Sequence, residues 1–339
     1  MSSQITLDML KNAAIENFPV IDLSHYVGQA PGALDEVAYQ LRYALEDVGF
    51  VIVVNHGVGG DLIEGIVEQT QRFHAMPLAE KIKLETRRGT GSGFTGYLPS
   101  GEYVIKTSEV NRNNKPDLNA AFFMDRERPL DDPEVMAGKL FREPNKWPEN
   151  LPGFREFLLR YWDALEGFSK RLLPVFAVAL ELPPEFFDPA FEGAQCALRL
   201  SHFPPVAYQD NQFGLAPHTD ANFFTVLPVS NVEGLYIRPQ GGDWLKAPRI
   251  PGSFIINSGD MCKRWTNDRF LSTAHLAINL TNQDRYSTPF FYTPHIDYPI
   301  ACLPTCCSAA DPPRYPPITY GEYRVWWLNN NYQTKLVEA

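Results

Sequence analysis

Residues 216–224 read APHTDANFF, which places an imidazole and a carboxylate two positions apart, directly before an aromatic and β-branched run. Residues i and i+2 of a β-strand point to the same side, so His218 and Asp220 can face one point in space. This pattern alone fits either half of a metal site or a polar corner that precedes a strand. The rest of the chain has to decide between the two interpretations.

The stretch lies in a half of the chain that consists of short strand-like segments separated by Gly, Pro, Asn and Asp. These segments are residues 197–203, 223–227, 234–238, 253–257, 261–265, 273–280 and 287–293. Many short strands at regular spacing are typical of an antiparallel sandwich or barrel. The sequence therefore predicts a mostly β fold in which His218 and Asp220 sit at the start of one strand.

Helical spacing of apolar residues predicts α-helices that flank this β-rich half. The predicted helices cover residues 34–48, 61–73, 151–182 and 320–331. A buried strand, Phe50–Val54, is predicted between the first two helices. The longest helix carries an aromatic stripe that is typical of a core-facing surface, and Pro174 is expected to kink or split it.

Composition excludes several classes of function. The chain has 339 residues, of which 44% are hydrophobic, and a formal net charge of −10. This net negative charge does not indicate a positively charged surface that would bind nucleic acid or an anionic membrane. Charged residues interrupt the N-terminal segment, and no apolar run reaches the roughly 18 residues of a membrane helix. We therefore expect a cytoplasmic protein that acts on a small molecule, while the sequence does not indicate an oligomeric state.

A third candidate metal ligand, His275, lies on a later predicted strand. Two imidazoles and one carboxylate on one face of an octahedral Fe(II) ion leave three positions open for a co-substrate and oxygen. A histidine in a strand is more often a hydrogen-bonded barrel residue than a ligand, so His218, Asp220 and His275 do not settle the matter alone.

Arg285 and Ser287 follow His275 and share one face of a predicted strand among bulky neighbours. A guanidinium that points into an apolar barrel needs an anion, because a buried charge is costly without a partner. The donors of Arg285 and the Ser287 hydroxyl would suit a carboxylate. The alternative is a surface arginine that is paired with Asp284 or Asp268.

In order and spacing, these five polar residues resemble the iron(II)/2-oxoglutarate-dependent dioxygenases related to isopenicillin N synthase. The likeness extends to flanking motifs along nearly the whole chain. These motifs are FPVIDL at 18–23, GF at 49–50, NHG at 55–57, LRL at 198–200, FPP at 203–205, GL at 234–235, NSGD at 257–260 and RWTND at 264–268.

The resemblance implies a double-stranded β-helix, or jelly-roll, core in which His218, Asp220 and His275 hold Fe(II). It implies that the 2-oxoacid end of 2-oxoglutarate chelates the metal, that its far carboxylate meets Arg285 and Ser287, and that O2 takes the last position. Phe203 stands where many plant members have a tyrosine that contacts the oxoacid, so that hydrogen bond is absent or replaced here.

The implied activity is hydroxylation, desaturation or ring closure of a small organic molecule in specialised metabolism, with release of succinate and CO2. Halogenating relatives lack the carboxylate ligand, which is present here as Asp220. Three alternatives stay open at this point: an oxidase of the isopenicillin N synthase type that needs no 2-oxoglutarate, a fragmentation of 2-oxoglutarate as in the ethylene-forming enzyme, and a non-catalytic 2-oxoglutarate- or metal-binding protein. The GLYIRP motif at 234–239 is shared with the ethylene-forming enzyme.

We find no internal repeat or long linker, and so expect one catalytic unit over residues 1–339. Within it, we expect an N-terminal α/β region at 1–125 with substrate-covering loops, a scaffold helix at 150–182, the jelly-roll core with the iron and 2-oxoglutarate site at 196–293, and a C-terminal tail and helix at 294–339.

The substrate is expected between the N-terminal loops and the open face of the barrel. The covering loops are predicted at residues 86–98 and 108–117. The side chains expected near the substrate are Tyr97, Glu102, Phe122, Phe123, Phe224 and Trp265. Basic residues that could bind a substrate carboxylate are Arg87, Arg88, Lys106, Arg112 and Lys115.

Overall fold

Two facing β-sheets lie against a layer of helices in the computed structural model, which describes residues 4–15, 18–86, 95–102 and 115–331. The helices, in chain order, are α1 (Leu7–Lys11), α2 (Ser24–Val27), α3 (Ala33–Asp47), α4 (Gly60–His74), α5 (Leu78–Ile82), α6 (Pro133–Met136), α7 (Phe154–Ala179), α8 (Asp188–Phe191), α9 (Asp260–Trp265) and α10 (Tyr320–Asn331).

The strands are short, as the sequence predicts for this kind of fold. In chain order they are β1 (Val20–Asp22), β2 (Phe50–Val54), β3 (Gly96–Leu98), β4 (Ala120–Asp125), β5 (Cys196–Phe203), β6 (Leu215–His218), β7 (Phe224–Pro228), β8 (Leu235–Arg238), β9 (Leu245–Lys246), β10 (Phe254–Ser258), β11 (Ala274–Ala277), β12 (Arg285–Ser287), β13 (Phe290–Tyr292), β14 (Pro299–Ile300) and β15 (Ile318–Thr319).

The larger sheet has nine strands within the described residues, in the order β1-β2-β10-β7-β13-β5-β4-β3, with β12 also paired to β5. The smaller sheet has the order β6-β11-β8-β9. Apart from the parallel β1–β2 pair, the pairs in these two sheets are antiparallel. Residues of both sheets line one cavity, which therefore lies between them. This arrangement is the jelly roll that the resemblance implies.

Helix α7 supports the outer face of the larger sheet. Phe176 of α7 stacks on Phe224 of β7, with ring centroids 4.9 Å apart and planes at 10°. Pro174 does not split the helix. The carbonyl that Pro174 deprives of its helical donor belongs to Lys170, which is exposed, so water can donate to that carbonyl instead.

Segment 261–265, predicted as a strand, is the helix α9 instead, so that prediction was wrong. Its buried residues are Met261, Cys262 and Trp265, a spacing that belongs to a helix rather than to an alternating strand. The predicted strand 287–293 is two strands, β12 and β13, because Pro289 between them has no N–H group for the ladder.

None of the helices within the described ranges is long and apolar enough to span a lipid bilayer.

Candidate active site

His218, Asp220 and His275 meet where β6 and β11 run side by side. His218 and His275 are direct partners in the antiparallel register, and their ring centroids are 4.3 Å apart. The Nε2 atom of each histidine lies 3.8 Å from Oδ1 of Asp220. Among the His, Cys, Asp and Glu residues in the described part of the chain, this is the one group of three whose candidate ligand atoms all lie within 4.8 Å of one another.

Backbone carbonyl groups set the orientation of both imidazoles. Nδ1 of His218 lies 2.8 Å from the Ala216 carbonyl oxygen, and Nδ1 of His275 lies 3.2 Å from that of Thr273. A hydrogen bond donated from Nδ1 leaves the lone pair of Nε2 for a metal. Burial, together with the neighbouring His275, lowers the pKa of His218 to about 3, so His218 is neutral and able to ligate at physiological pH.

Asp220 is held by two donors on the larger sheet. Its Oδ2 accepts hydrogen bonds from Thr225 Oγ1 at 2.5 Å and from Asn257 Nδ2 at 2.8 Å, which leaves Oδ1 facing the imidazoles. Burial raises the pKa of Asp220, but the two imidazoles and these two hydrogen bonds outweigh burial, and the pKa lies below its ordinary value. The carboxylate is therefore ionised and fixed in direction.

The donor set fits a 2-His-1-carboxylate metal ion. Three donor atoms converge, each is oriented by a second hydrogen bond on its far side, and all three side chains are at most 9% exposed. Such outer hydrogen bonds are the usual companions of metal ligands. Two nitrogens and one oxygen on one face are the ligand set of non-haem Fe(II) oxygenases.

Arg285 lies in the same cavity and is buried, with 3% of its surface exposed. Its Nε and Nη1 groups are buried without a hydrogen-bond partner in the described part of the chain. The guanidinium carbon stands 4.9 Å from the centre of the Phe203 ring. Burial lowers the pKa of Arg285 to about 10, so the group is still a cation at neutral pH.

The surface alternative for Arg285 is excluded by the partners of the two aspartates. Asp284 accepts from His202 Nε2 at 2.6 Å, and Asp268 accepts from Arg314 and from the Tyr315 hydroxyl. Ser287, two residues after Arg285, also lines the cavity. The structure thus brings Arg285, Ser287 and Phe203 to one end of the space that holds the three metal-ligand candidates.

Side chains alternate between the two faces of each strand, so the residues of the larger sheet that face the cavity form successive rows across the strands. Paired residues of neighbouring strands lie at the same level. Arg285 pairs with Phe203, and Ser287 pairs with Ser201. Thr225 is level with Phe291 on one side and with Asn257 on the other. Thr225 and Asn257 hold Asp220, so the metal-ligand candidates and Arg285 lie at opposite ends of these levels. The cavity has a volume of about 50 Å³.

Gly234 makes room for Arg285. A Cβ atom at residue 234 would lie 2.4 Å from the Ile278 carbonyl oxygen and 2.9 Å from Cδ of Arg285, and φ is +147°. Glycine alone tolerates both the close approach and this backbone conformation. The glycine of the GLYIRP motif therefore has a structural role next to the buried cation.

Three of the side chains expected near the substrate belong to the core instead. Phe224 points away from the cavity because Thr225 and Leu227 of the same strand point into it. Trp265 packs on Phe187 and Phe223, with ring centroids 5.2 Å and 5.6 Å away.

Phe122 packs on Phe73 with ring centroids 4.6 Å apart, and so also points away from the cavity. Tyr97 is buried beside Phe73, at 6.0 Å. Glu102 is exposed at the edge of the described residues. Phe123 is different, because its ring lies 5.2 Å from the guanidinium carbon of Arg199, which lines the cavity.

Much of the expected substrate cover lies outside the described residues. This holds for positions 87–94 and 108–114 of the two predicted loops, and for Arg87, Arg88, Lys106 and Arg112. Lys115 is described, and its Nζ donates to Gln209 Oε1 and to the Asp210 carbonyl at 3.1 Å and 2.8 Å.

Comparisons with known proteins agree with this geometry. Residues 18–150 match the model of the non-haem dioxygenase in morphine synthesis N-terminal family, and residues 194–294 match the 2OG-Fe(II) oxygenase superfamily. The 2-oxoglutarate-Fe(II) type oxidoreductase hxnY of Emericella nidulans is 31% identical over 308 residues, which cover 89% of this chain and 86% of the relative. The chain belongs to the 2OG-Fe(II) oxygenase superfamily.

Two solved structures with bound 2-oxoglutarate are also similar. A full-length Neurospora crassa protein in complex with alpha-KG has a TM-score of 0.79 and 25% identity, over 93% of this chain and 98% of that one. JOX2 in complex with 2OG, Fe and JA has a TM-score of 0.74 and 28% identity, over 100% of this chain and 92% of that one. The protein is therefore an Fe(II)- and 2-oxoglutarate-dependent dioxygenase that acts on a small molecule with O2.

Sequence reasoning missed three polar residues of the site, Thr225, Asn257 and Arg199. Asn257 belongs to the NSGD motif and Arg199 to the LRL motif, but neither motif says which way a side chain points. Alternation with Phe203 could have placed Arg199 in the cavity, because residues 199, 201 and 203 share a strand face.

Proposed function

We propose that His218, Asp220 and His275 hold the Fe(II) ion of this oxygenase, and that Arg285 and Ser287 bind the far carboxylate of 2-oxoglutarate. The observation that carries the proposal is the guanidinium of Arg285, which is buried with two N–H groups lacking a partner in the described part of the chain, in the cavity of the three metal-ligand candidates. A dicarboxylic acid satisfies both ends of such a cavity, one end at the metal and the other at the cation.

Each residue has a distinct task in this scheme. The bound iron supplies the oxygen chemistry, including oxidative decarboxylation of 2-oxoglutarate to succinate and CO2. The backbone carbonyls of Ala216 and Thr273 keep both imidazoles in the ligating tautomer, while Thr225 and Asn257 keep the carboxylate of Asp220 directed inward.

Phe203 forms the wall beside the co-substrate. Its ring faces the guanidinium of Arg285 and excludes water from it, although it cannot replace the hydroxyl of the tyrosine found in many plant members. The co-substrate is thus positioned mainly by one cation and one hydroxyl, from Arg285 and Ser287.

The reaction that we propose is hydroxylation, desaturation or ring closure of a small organic molecule in specialised metabolism. The presence of Asp220 supports these outcomes over halogenation, which in relatives goes with loss of the carboxylate ligand. The reported relatives and neighbours carry 2-oxoglutarate or its synonym in their names or ligands, which supports a 2-oxoglutarate-dependent reaction over the oxidase type. Cytoplasmic location and the lack of a nucleic-acid partner stay predictions from the sequence.

The proposal is tested by 2-oxoglutarate turnover, measured as succinate formed per O2 consumed, with iron added to the purified enzyme. We expect iron-dependent succinate release in the wild type and none in Asp220→Ala, which lacks the anionic ligand. We expect Arg285→Leu to bind 2-oxoglutarate about 100-fold more weakly, since two or more charge-assisted hydrogen bonds of about 1.5 kcal/mol each are lost.

The matched control is Arg160→Leu, which removes an exposed arginine from α7. It should leave the affinity for 2-oxoglutarate unchanged. Wild-type affinity in Arg285→Leu contradicts the placement of the co-substrate, and succinate release by Asp220→Ala contradicts the assignment of the metal ligands.

A further inference from the structure

The chain segment that carries two of the metal-ligand candidates rests on the first turn of α9. Three backbone N–H groups at the start of α9 donate to carbonyls of residues 220–223: Gly259 to Phe223 at 3.0 Å, Asp260 to Asp220 at 2.7 Å and Met261 to Asn222 at 3.2 Å. The first N–H groups of a helix have no partner within the helix, so these carbonyls cap α9. The segment and the start of α9 therefore form one hydrogen-bonded unit.

The side chain of Asp260 holds this unit from a second direction. Its Oδ2 accepts a hydrogen bond from Oγ1 of Thr219 at 3.2 Å. Thr219 stands between His218 and Asp220 in the sequence. Asp260 thus contacts the segment between the two ligand candidates with its side chain, and the Asp220 carbonyl with its backbone N–H group.

A residue of the C-terminal helix donates to the same carboxyl oxygen. The hydroxyl of Tyr323, on α10, donates to Oδ2 of Asp260 at 2.8 Å. The ring of Tyr323 lies between two large side chains, with the Arg264 guanidinium carbon 5.9 Å and the Trp326 ring centre 5.5 Å from its own centre. The direction of the hydroxyl is therefore fixed, and one carboxyl oxygen joins α10 to the segment of the ligand candidates.

Helix α10 is anchored to the core independently of this hydrogen bond. Arg324, the residue after Tyr323, forms a buried ion pair with Asp125 of β4 at 3.2 Å. The N–H group of Gly321 donates to the Ile296 carbonyl at 2.9 Å. Because these contacts hold the helix, loss of the Tyr323 hydroxyl frees the carboxyl of Asp260 without releasing α10.

We propose that Tyr323 is a positioning residue of the metal site, which acts through Asp260 on the segment from His218 to Asp220. The inference rests on the proposed function, because it takes His218 and Asp220 as metal ligands. With the hydroxyl in place, Oδ2 of Asp260 stays where Thr219 donates to it, and the two ligands keep their spacing. Among the described residues that line the cavity none belongs to α10, so the helix contributes to metal binding from outside the cavity.

Tyr315 provides a matched control. Its hydroxyl donates to Oδ1 of Asp268 at 2.6 Å, and its ring lies 4.6 Å from the guanidinium carbon of Arg264. Like Tyr323 it is partly buried. The other oxygen of Asp268 accepts from Arg314 instead of from the ligand segment. Tyr315→Phe therefore deletes a similar hydrogen bond that has no link to the metal-ligand candidates.

The test is a titration of the metal-free, full-length enzyme with Co(II) in the absence of O2, followed by calorimetry and by visible absorption, which reports the geometry of the Co(II) ligands. We expect Tyr323→Phe to bind Co(II) about 3- to 10-fold more weakly than the wild type and to change the absorption band, a smaller loss than for groups that bond directly to a ligand. Tyr315→Phe should keep the wild-type affinity and spectrum. Without metal, both variants should unfold at similarly lowered temperatures, since each loses one hydroxyl–carboxylate bond.

Wild-type affinity and spectrum in Tyr323→Phe overturn the inference. An equal loss of affinity in Tyr315→Phe also overturns it, because the loss then follows from lower stability alone.

Thr219→Val tests the other end of the same link. It should weaken Co(II) binding by about 3- to 10-fold, and Thr219→Ser, which keeps the hydroxyl, should bind like the wild type. Because Thr219 and Tyr323 donate to one oxygen, the double variant Thr219→Val with Tyr323→Phe should lose less affinity than the product of the two single losses. A loss equal to that product overturns the claim that Tyr323 acts through Asp260.

Asp220→Ala separates failure of this inference from failure of the proposed function. If Asp220→Ala binds Co(II) as tightly as the wild type, the assigned ligands are wrong and the inference falls with them. If Asp220→Ala loses Co(II) while Tyr323→Phe binds it like the wild type, the ligands stand and only the role of Tyr323 is overturned.

Discussion

Thr225→Val should weaken iron binding without disturbing the fold. The substitution keeps the shape of the side chain and removes the hydroxyl that donates to Asp220 Oδ2 at 2.5 Å, so the carboxylate keeps only the bond from Asn257 at 2.8 Å. A hydrogen bond to a charged group contributes about 1.5 to 3 kcal/mol. At about 1.4 kcal/mol per factor of ten, the loss corresponds to roughly a 10- to 100-fold lower affinity for the metal, which is the usual effect of removing a group that orients a ligand.

The assay is a titration of metal-free enzyme with Fe(II) in the absence of O2, followed by 2-oxoglutarate turnover as a function of free iron. Thr225→Ser is the matched control, because it keeps the hydroxyl and should bind iron within about threefold of the wild type. The thermal unfolding temperature of both variants without metal should stay close to that of the wild type. Wild-type iron affinity in Thr225→Val would refute the claim that this hydroxyl fixes the direction of Asp220.

Three further predictions concern stability and packing. Gly234→Ala should lower the free energy of unfolding by about 2 to 3 kcal/mol and weaken 2-oxoglutarate binding, because the added Cβ would lie 2.9 Å from Arg285 Cδ. The control is Gly242→Ala, where the nearest atom to the added Cβ is 3.5 Å away. It should change neither the free energy of unfolding, measured by chemical denaturation, nor the affinity for 2-oxoglutarate, measured by calorimetry. Trp265→Ala should lower the free energy of unfolding by about 3 to 5 kcal/mol, while the enzyme that still folds keeps its KM values. A change in the KM for the substrate alone would show that Trp265 contacts the substrate after all. Two neighbouring cations, an arginine and a lysine, lower the pKa of Glu134 to about 2 from 4.5. The charged carboxylate therefore contributes about 1 kcal/mol to the free energy of unfolding above pH 4.5, and this contribution disappears as the pH falls towards 2. In urea unfolding, Glu134→Gln should be less stable than the wild type at pH 7 and equally stable near pH 2.

The strands that position the site were predictable because their local pattern and their final environment agree. Phe50–Val54 is a continuous apolar run, and it is a strand with the predicted bounds. His218 and Asp220 could be paired in the sequence by alternation, and the structure places both beside His275. The order and spacing of these residues carried the resemblance to the family, which the comparisons then confirmed.

Predictions of which side chains meet the substrate were less successful, because that depends on the neighbouring element. Phe223 and Phe224 both follow Asp220 in the sequence, but β7 turns Phe224 towards Phe176 of α7 and leaves Thr225 for the cavity. Trp265 was expected near the substrate at the open face of the barrel, and its segment was separately predicted as a strand. As the last residue of α9 it faces Phe187, which no local pattern could indicate.

The direct pairing of His218 with His275 has a consequence for folding as well as for chemistry. The two strands that carry them, β6 and β11, lose their regular register between His275 and Ala277, where the pairing shifts. A slip of one residue would turn His275 to the other side of the sheet. If His218 and His275 hold the iron as proposed, only chains in which these two strands are aligned correctly would bind it, so metal binding would stabilise the correct strand alignment.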